Sequence, residues 1–560
     1  HHAIGTILAR RCYNTKEIRV SSNQIIPHIA VLVNSDLRII ETVLSVATFV
    51  VLHEMYIFRD AFKIYTQFTH FYANMLYYKK PISEECDMKQ KISLLLAFLA
   101  VWTMTACGNT EPRETAKTPA ADTSAVTDTE TEAETEPSIV ELLGEKDMNG
   151  ATYTMLDGSN GIQINIPGEE LTGEAVNDAM IHRDNFLEEE YNVVIDYIGM
   201  KTGEALSAMQ KSVKAGDDAF NLVVATIFDF ANQVNGHYLY NMMELPYVEA
   251  AQPWYSPLMA DSLSLDGHMY FTASDICPSV YQSSCCMFLN LKLYDDYGID
   301  TDIYASVIDG KWTLDQLISL QKDLDRDLDG DNKWKAAQDF FGVGLQPTSE
   351  TATAFLAGAN ASFCVKDGTT LSMDGVNERT IGIMEKLASF CLNIQYSDIN
   401  DVINLCFKED KALFLQHKLE SAAVHLRDME NSYLVLPSPK ADEEQAHYQS
   451  MVSGYCTSFI AIPATAEPEL TGFITEAMAR YSHERMRSLA FDMVYKDKIS
   501  RDPRTSDVLD ILLDNLYIDF GIVYNFGSLN DLAANSIFKG AAFMSGFEKK
   551  AGAIEKGISK

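Results

Sequence analysis

Between Ala151 and Ile227 the apolar residues switch back and forth between a period of two and a period of about 3.6, and this alternation limits the fold more than any other feature of the chain. Residues 151–156 suit a strand. Residues 172–190 set Ala175, Val176, Ala179, Met180, Phe186 and Leu187 along one helical face, and Val193, Ile195 and Tyr197 then alternate as in a second strand. Residues 203–215 read as a helix stopped by Gly216, and residues 221–227 as a short buried strand. The order β-α-β-α-β implies a parallel sheet wrapped by helices, with ligand sites beyond the carboxyl ends of its strands. The segment after Val224, carrying Thr226 and Phe228, is therefore a candidate wall of a binding site.

A second block starts near Met287. There Thr313-x-x-Gln316 has the form of a capping box, with Leu314, Leu317, Ile318 and Leu324 on the face that follows. Helical patterns run on to Met429, residues 433–436 and 457–462 suit strands bounded by Pro437, Pro439 and Pro463, and residues 469–498 are helical again. No internal repeat interrupts this order. A folded body of roughly 420 residues is too large for one core, so two lobes are expected.

Composition removes several function classes. The 560 residues are 47% hydrophobic and 22% charged, as in a globular protein. With 79 acidic against 44 basic side chains the net charge is −35, a surface that repels phosphate backbones, so nucleic acid is not a partner. Ten cysteines form no CxxC pair and no zinc-ligand spacing, and Cys285, Cys286 and the five others of the body suit small buried side chains.

Motifs of known chemistry fail on order or spacing. Ser319-x-x-Lys322 and Lys201-Thr-Gly203 stand in the wrong order for a penicillin-binding enzyme, with no SDN-like motif between them. His483-Glu484 lacks a second histidine at the right distance, and Gly342-Val-Gly344 is followed by Pro347 where a third glycine belongs. A paired-carboxylate glycosidase stays open as an alternative, because carboxylate separation is invisible in a sequence.

Upstream of the body, Lys89 and Lys91 precede an apolar run from Ile92 to Trp102, then Met104-Thr-Ala-Cys107. The run falls short of the roughly 18–20 residues that span a bilayer, and the whole has the layout of a secretory signal. Its end resembles a bacterial lipobox, in which the cysteine is acylated and becomes the first mature residue. On this basis residues 1–87 are upstream translated sequence with Met88 the true start, 88–106 are the lipoprotein signal peptide, and Cys107 carries the lipid. Residues 107–137, rich in Thr, Ala, Glu and Asp, cannot bury enough surface to offset their chain entropy and form a flexible tether. A body held this way sits on the extracellular face of the cytoplasmic membrane.

The acidic run from Asp325 to Trp334 alternates carboxylates around a tight turn, a pattern that wraps oxygen ligands around calcium. A loop starting at Asp325 ends on Ala336 with no closing carboxylate. Starting at Asp327 instead offers Asp327, Asp329, Asp331 and the Lys333 carbonyl, with Asn332 sixth, Gln338 twelfth and Asp339 one place late. This second register is preferred, and Ca2+ would act structurally.

Segments in order through the body resemble the bacterial extracellular solute-binding proteins of ABC importers, family 1, sugar type. They include Leu171-Thr-Gly-Glu-Ala-Val-Asn-Asp-Ala179 with His182-Arg-Asp184, Tyr191-Asn-Val-Val194, Gln252-Pro-Trp-Tyr255, Asp266-Gly-His-Met-Tyr-Phe271 with Asp275-Ile276, and Phe288-Leu-Asn290. Tyr297-Gly298, Gly310-Lys-Trp-Thr313, Leu426-Arg-Asp-Met429, Leu436-Pro-Ser-Pro-Lys440 and Tyr524-Asn-Phe-Gly527 continue the likeness, while Tyr255 stands where a second tryptophan is common. The resemblance implies an α/β fold of two periplasmic-binding-protein-like lobes (type II), joined by crossing hinge segments near residues 272–287 and 433–437. One lobe would hold 145–275 plus 434–480, the other 285–432 plus 481–556. It further implies a lipid-anchored monomer that captures a carbohydrate, an oligosaccharide, in the interlobe cleft and delivers it to the permease subunits without chemistry. The acidic loop resembles a structural calcium site of that family.

A sugar presents hydroxyls and an apolar ring face, so its site needs aromatic platforms beside a few fixed polar groups. Trp254, Tyr255, Tyr281 and Tyr455 are the candidate platforms, and Asp275 a candidate acceptor for two hydroxyls. The competing expectations are an exported carbohydrate-active enzyme and a calcium-stabilised surface interaction module.

Overall fold

The computed structural model describes residues 143–159, 165–391, 399–495 and 502–559. Cys107 and the segments 1–87, 88–106 and 107–137 lie outside the described residues.

The alternating region builds what its periodicity demands. Strand β1 (Ala151–Asp157) leads to helix α1 (Ala175–Tyr191), strand β2 (Val193–Gly199), helix α2 (Thr202–Ala215), strand β3 (Leu222–Ala225) and helix α3 (Ile227–Val234). The Glu174 carboxylate caps α1 by accepting from the Val176 and Asn177 amides, and Gly216 ends α2 in the left-handed conformation at φ 74°. Glycine is suited to that turn because a Cβ is strained there. Val176, Met180 and Leu187 form the buried face of α1, whereas Ala175 is exposed. All of β3 is buried, as its unbroken apolar run requires.

The chain continues through helix α4 (Pro257–Leu263) to a second set of strands: β4 (Cys285–Asn290), β5 (Phe341–Gly344), then the hairpin β6 (Val365–Asp367) and β7 (Thr370–Ser372). Helix α5 (Ser349–Gly358) lies between β5 and that hairpin. Strands β8 (Ala412–Lys418), β9 (Tyr433–Pro437), β10 (Ser450–Met451) and β11 (Phe459–Ala461) follow, then helix α6 (Pro468–Tyr495), strand β12 (Leu516–Tyr517) and helix α7 (Leu529–Lys539).

Two four-stranded sheets result. The first has the order β11-β3-β1-β2, with β1 parallel to both β2 and β3 and with β11 antiparallel on the edge. The second has the order β5-β8-β4-β9. One apolar cluster lies in the first lobe around Tyr153, Leu222 and Phe473, another in the second around Trp312, Leu317 and Phe414. A third runs through both, joining Leu156 and Phe230 to Phe288 and Leu415. Fully burying each such side chain contributes about 1.5–3 kcal/mol.

The lobe boundaries differ from expectation in two places. Residues 433–437 do not cross between lobes: β9 pairs with β4 along Asn290↔Tyr433 to Cys286↔Pro437 and belongs to the second sheet. The return crossing is the stretch from Val452, which bridges Ser284, to Ile460, which bridges Thr272. The outgoing and returning segments therefore run side by side, tied by Ser453 N–H to Ser283 O at 3.0 Å.

The boundary expected at residue 480 falls inside α6, which stays on the first lobe. Its Ser482 accepts from the buried Arg183 guanidinium at 3.3 Å, while Arg183 also pairs with Asp184 at 2.8 Å and donates to Tyr197 at 2.8 Å. That charge is fully enclosed, so its partners on α1, β2 and α6 are what make its burial tolerable.

The Thr313 cap forms, accepting from Gln316 N at 3.3 Å, but the Gln316 side chain turns to Ser306 and leaves the reciprocal half of the box unmade.

Candidate functional site

Strand ends of the first sheet meet helix starts of the second lobe beside the crossing segments. At the end of β3, Thr226 caps α3 and donates its hydroxyl to Asp229 at 2.6 Å, which places Phe228 in the first turn. The Phe228 ring packs against Tyr455 with centroids 4.7 Å apart at 45°. Gly454 makes this approach possible. A Cβ there would lie 2.8 Å from two Phe228 ring carbons, closer than packed atoms tolerate.

The opposite wall comes from the second lobe. Thr348 caps α5 by accepting from Thr351 N at 3.2 Å, which presents Ser349, Glu350 and Thr353 on the helix's opening turns. Glu350 accepts a hydrogen bond from the buried hydroxyl of Ser453 on the returning crossing. Asn530 on α7 donates through Nδ2 to Ile522 O at 2.9 Å, which fixes the amide's orientation. Its Oδ1 is then left buried with no partner among the described residues.

Together these residues line a small cleft, with Met451, Ile518 and Ile522 among its apolar lining. Tyr455 is 56% exposed at the mouth, and its hydroxyl is hydrogen-bonded to Ser349. One aromatic ring from the first lobe, one from the crossing and polar groups from the second therefore converge on a single space. Burial, followed by the charges of Glu350 and Asp531, raises the Tyr455 hydroxyl above its ordinary value.

Of the residues singled out in the sequence, Phe228 and Tyr455 are brought together here, with Thr226 positioning the first of them. The others go elsewhere. Tyr281 is buried in the apolar cluster shared by the lobes. Tyr255 is fully buried and donates to Glu476 at 2.9 Å. Burial raises the Glu476 carboxyl to about 7, against the lowering effect of the Tyr255 hydrogen bond.

Trp254 is 7% exposed, with the Arg480 guanidinium 5.0 Å from its ring centroid and the His483 ring 6.1 Å away. Asp275 is 1% exposed and its Oδ2 lies 2.5 Å from His483 Nδ1. This constellation fastens the two segments that carry Trp254 and Asp275 to α6. It is not part of the cleft lining.

Glu350, Ser349 and Asn530 carry no motif of their own. A usable signal existed for the first two: α5 opens shortly after β5, and the strand-end rule that pointed to Phe228 applies equally to the second lobe.

The acidic loop closes on itself in the register that starts at Asp327. Carboxylate oxygens of Asp327, Asp329 and Asp339 lie within 4.8 Å of one another. Asp327 accepts from Gly330 N at 2.7 Å and Asn332 N at 2.8 Å, and Asn332, sixth in the loop, has φ 57°, the left-handed turn that position requires. Asp339 is fully buried and accepts from Leu328 N at 3.0 Å and Lys335 N at 2.7 Å.

Asp331 is outside this group. Its Oδ2 pairs with Lys335 Nζ at 2.5 Å, and Asp329 holds the same ammonium at 2.9 Å. Lys333 contributes its amide to Asp331 at 2.9 Å.

No family profile and no curated protein matches the sequence. Among solved structures, the chain is similar to a cyclo/maltodextrin-binding protein complexed with maltotetraose, at TM-score 0.50 and 13% identity, over 74% of this chain and 98% of that one. It is also similar to a maltose-binding periplasmic protein from Listeria monocytogenes in complex with maltose, at TM-score 0.47 and 12% identity over 73% and 98% of the two chains. An ABC substrate-binding protein from the same organism in complex with cycloalternan gives TM-score 0.44 and 11% identity over 73% and 100%. The first of these likenesses establishes the two-lobed periplasmic-binding-protein fold that the sequence implied.

Proposed function

We propose that the chain is an extracellular solute-binding protein that captures a carbohydrate between its lobes and delivers it to an ABC importer, performing no chemistry on it. The observation that carries this reading is the convergence of Phe228 and Tyr455 with Glu350 and Asn530 across one cleft. Two aromatic faces can cover the apolar side of a sugar ring, and the carboxylate and amide oxygens can accept from its hydroxyls. A ligand touching both walls binds the closed arrangement better than an open one and so shifts the population toward closure. The cyclo/maltodextrin-binding protein of similar fold, complexed with maltotetraose, supports the choice of solute.

The reading includes the lipid anchor on Cys107 and the tether, which keep the body beside its permease. Replacing Cys107 by serine should release the protein into the medium of the native host.

Thermal unfolding of the full chain across mono- and oligosaccharides, polyols and peptides tests the capture. A solute at a hundredfold over its Kd stabilises by about 2.7 kcal/mol. A saturable rise in Tm with no product formed supports capture, while turnover of an oligosaccharide would move the assignment to an exported carbohydrate-active enzyme.

We also propose that the loop 327–339 holds a structural calcium ion. The clustered oxygens of Asp327, Asp329 and Asp339 and the turn at Asn332 fit such an ion, with the Lys333 carbonyl as a further donor. Calcium would supply only a cross-link in the second lobe, and Lys335 would have to give up its place between Asp329 and Asp331. A chelator-sensitive Tm that calcium restores and magnesium does not is the expected result. A stabilising response to calcium with none to any small solute would favour the surface interaction module instead.

A further inference from the structure

The cleft offers acceptors and no positive charge. Among the described residues that line it, Glu350 supplies the one carboxylate and there is no lysine, arginine or histidine. Lys418 reaches the neighbourhood, with its ammonium 3.0 Å from the Cys456 sulfur, but it is paired with Glu420 at 3.0 Å. The charge of Asp531 also acts on the Tyr455 hydroxyl, adding negative potential near it. The buried Asn530 Oδ1 is an acceptor in need of a donor, since its own Nδ2 is committed to Ile522 O. Phe228 and Tyr455, packed against each other at 4.7 Å, both line the cleft, and the negative face of an aromatic ring attracts a cation.

We infer that the cleft selects a carbohydrate carrying a protonated amine, an amino sugar, over neutral and anionic sugars. The ammonium would donate to Glu350 and sit against the aromatic pair, while Asn530 Oδ1 accepts from the amine or from a neighbouring hydroxyl. Such a charge-assisted bond is about twice as strong as one between neutral groups. A uronic acid in its place would meet Glu350 with like charge and no compensating cation, which is discrimination by repulsion. The net charge of −35 adds to this by drawing cations toward the protein. The inference rests on the carbohydrate reading above and sharpens it.

Calorimetric titration of the full chain with glucosamine and its β-1,4-linked dimer, against glucose, cellobiose and glucuronate, tests it at a pH where the amine is protonated. The amine-bearing member of each pair should bind about tenfold tighter or more, a difference of ~1.4 kcal/mol. Raising the salt concentration should shrink that ratio in the unaltered protein, and Glu350→Gln should bring it close to one. Equal or tighter binding of the neutral sugars or of glucuronate overturns the selection for amines and leaves carbohydrate capture standing. Binding of spermidine with no response to any sugar overturns the carbohydrate reading while upholding selection for a cation. Silence toward every probe overturns both.

Discussion

Two constellations in this protein have the same ingredients and opposite roles. Around Asp275 an aromatic ring, a carboxylate and basic side chains meet in a largely buried place, and the residues bind one another: Asp275 to His483, Tyr255 to Glu476, Trp254 beneath Arg480. Around Glu350 an aromatic pair and a carboxylate meet in a cleft, where Tyr455 is open to solvent and Asn530 keeps an acceptor without a partner. Trp254 Nε1 and Arg480 Nε are buried without a hydrogen-bond partner among the described residues just as Asn530 Oδ1 is, so a binding site is distinguished less by residue type or by an unmet bond than by the exposure of a ring such as Tyr455 beside it.

The sharpest way to break this contrast is at Asp275. Removing it takes the hydrogen-bond partner from His483 Nδ1, so Asp275→Ala should cost about 1–3 kcal/mol. Chemical denaturation should show that loss, while the solute affinity of the folded fraction stays unchanged. A loss of affinity with no loss of stability would instead place Asp275 in the site.

Glu476 gives the next effect, through pH. Its carboxyl is raised from 4.5 to about 7, so the folded state holds a proton that the unfolded chain releases. The stabilisation is present in full below pH 4.5 and is lost as pH rises through about 7, a change on the order of 2–3 kcal/mol. Stability curves of Glu476→Gln should lose that slope and lie above those of the unaltered protein on the alkaline side.

At the cleft the order of effects reverses. Tyr455→Ala removes an exposed ring and should leave Tm nearly unchanged while lowering solute affinity about tenfold, the share of one aromatic contact. Gly454→Ala should weaken binding too, because its methyl group displaces Phe228, with a stability cost of about 1–2 kcal/mol from overpacking.

The smallest change is expected in the acidic loop. Asp327→Asn should abolish the calcium-dependent rise in Tm, yet alter metal-free stability by about 1 kcal/mol, the worth of the two amide hydrogen bonds it weakens.

Much of the first lobe was legible because its signals are local. The apolar stripe of α1, the Gly216 stop and the unbroken run of β3 each lie within a single element, and backbone sterics and burial act over that distance. The turn of the acidic loop, with Asn332 in the left-handed conformation, was legible for the same reason. Its cation balance was not, because Lys335 occupies a position where no regular motif places a charge.

The crossing at 433–437 was misplaced because the run Tyr433–Pro437 suits a strand in either sheet, and nothing local says that its partner is β4. The same limit governed the candidate ligand residues. Trp254 and Asp275 have the chemistry of a sugar site, and only the packing of α6 closes them off.

By itself, then, the amino-acid order determined the elements of the first lobe, since each follows from side-chain periodicity and turn chemistry within a short stretch, while two lobes were implied by the length of the body and by the family resemblance. The tertiary structure alone decided which carboxylate faces a ligand. Glu350 meets Ser453 across 103 positions and Asp275 meets His483 across 208, and over such separations no local rule applies. What remains is the collective packing of two sheets and their helices, which satisfies one of those carboxylates completely and leaves the other at the wall of an open cleft.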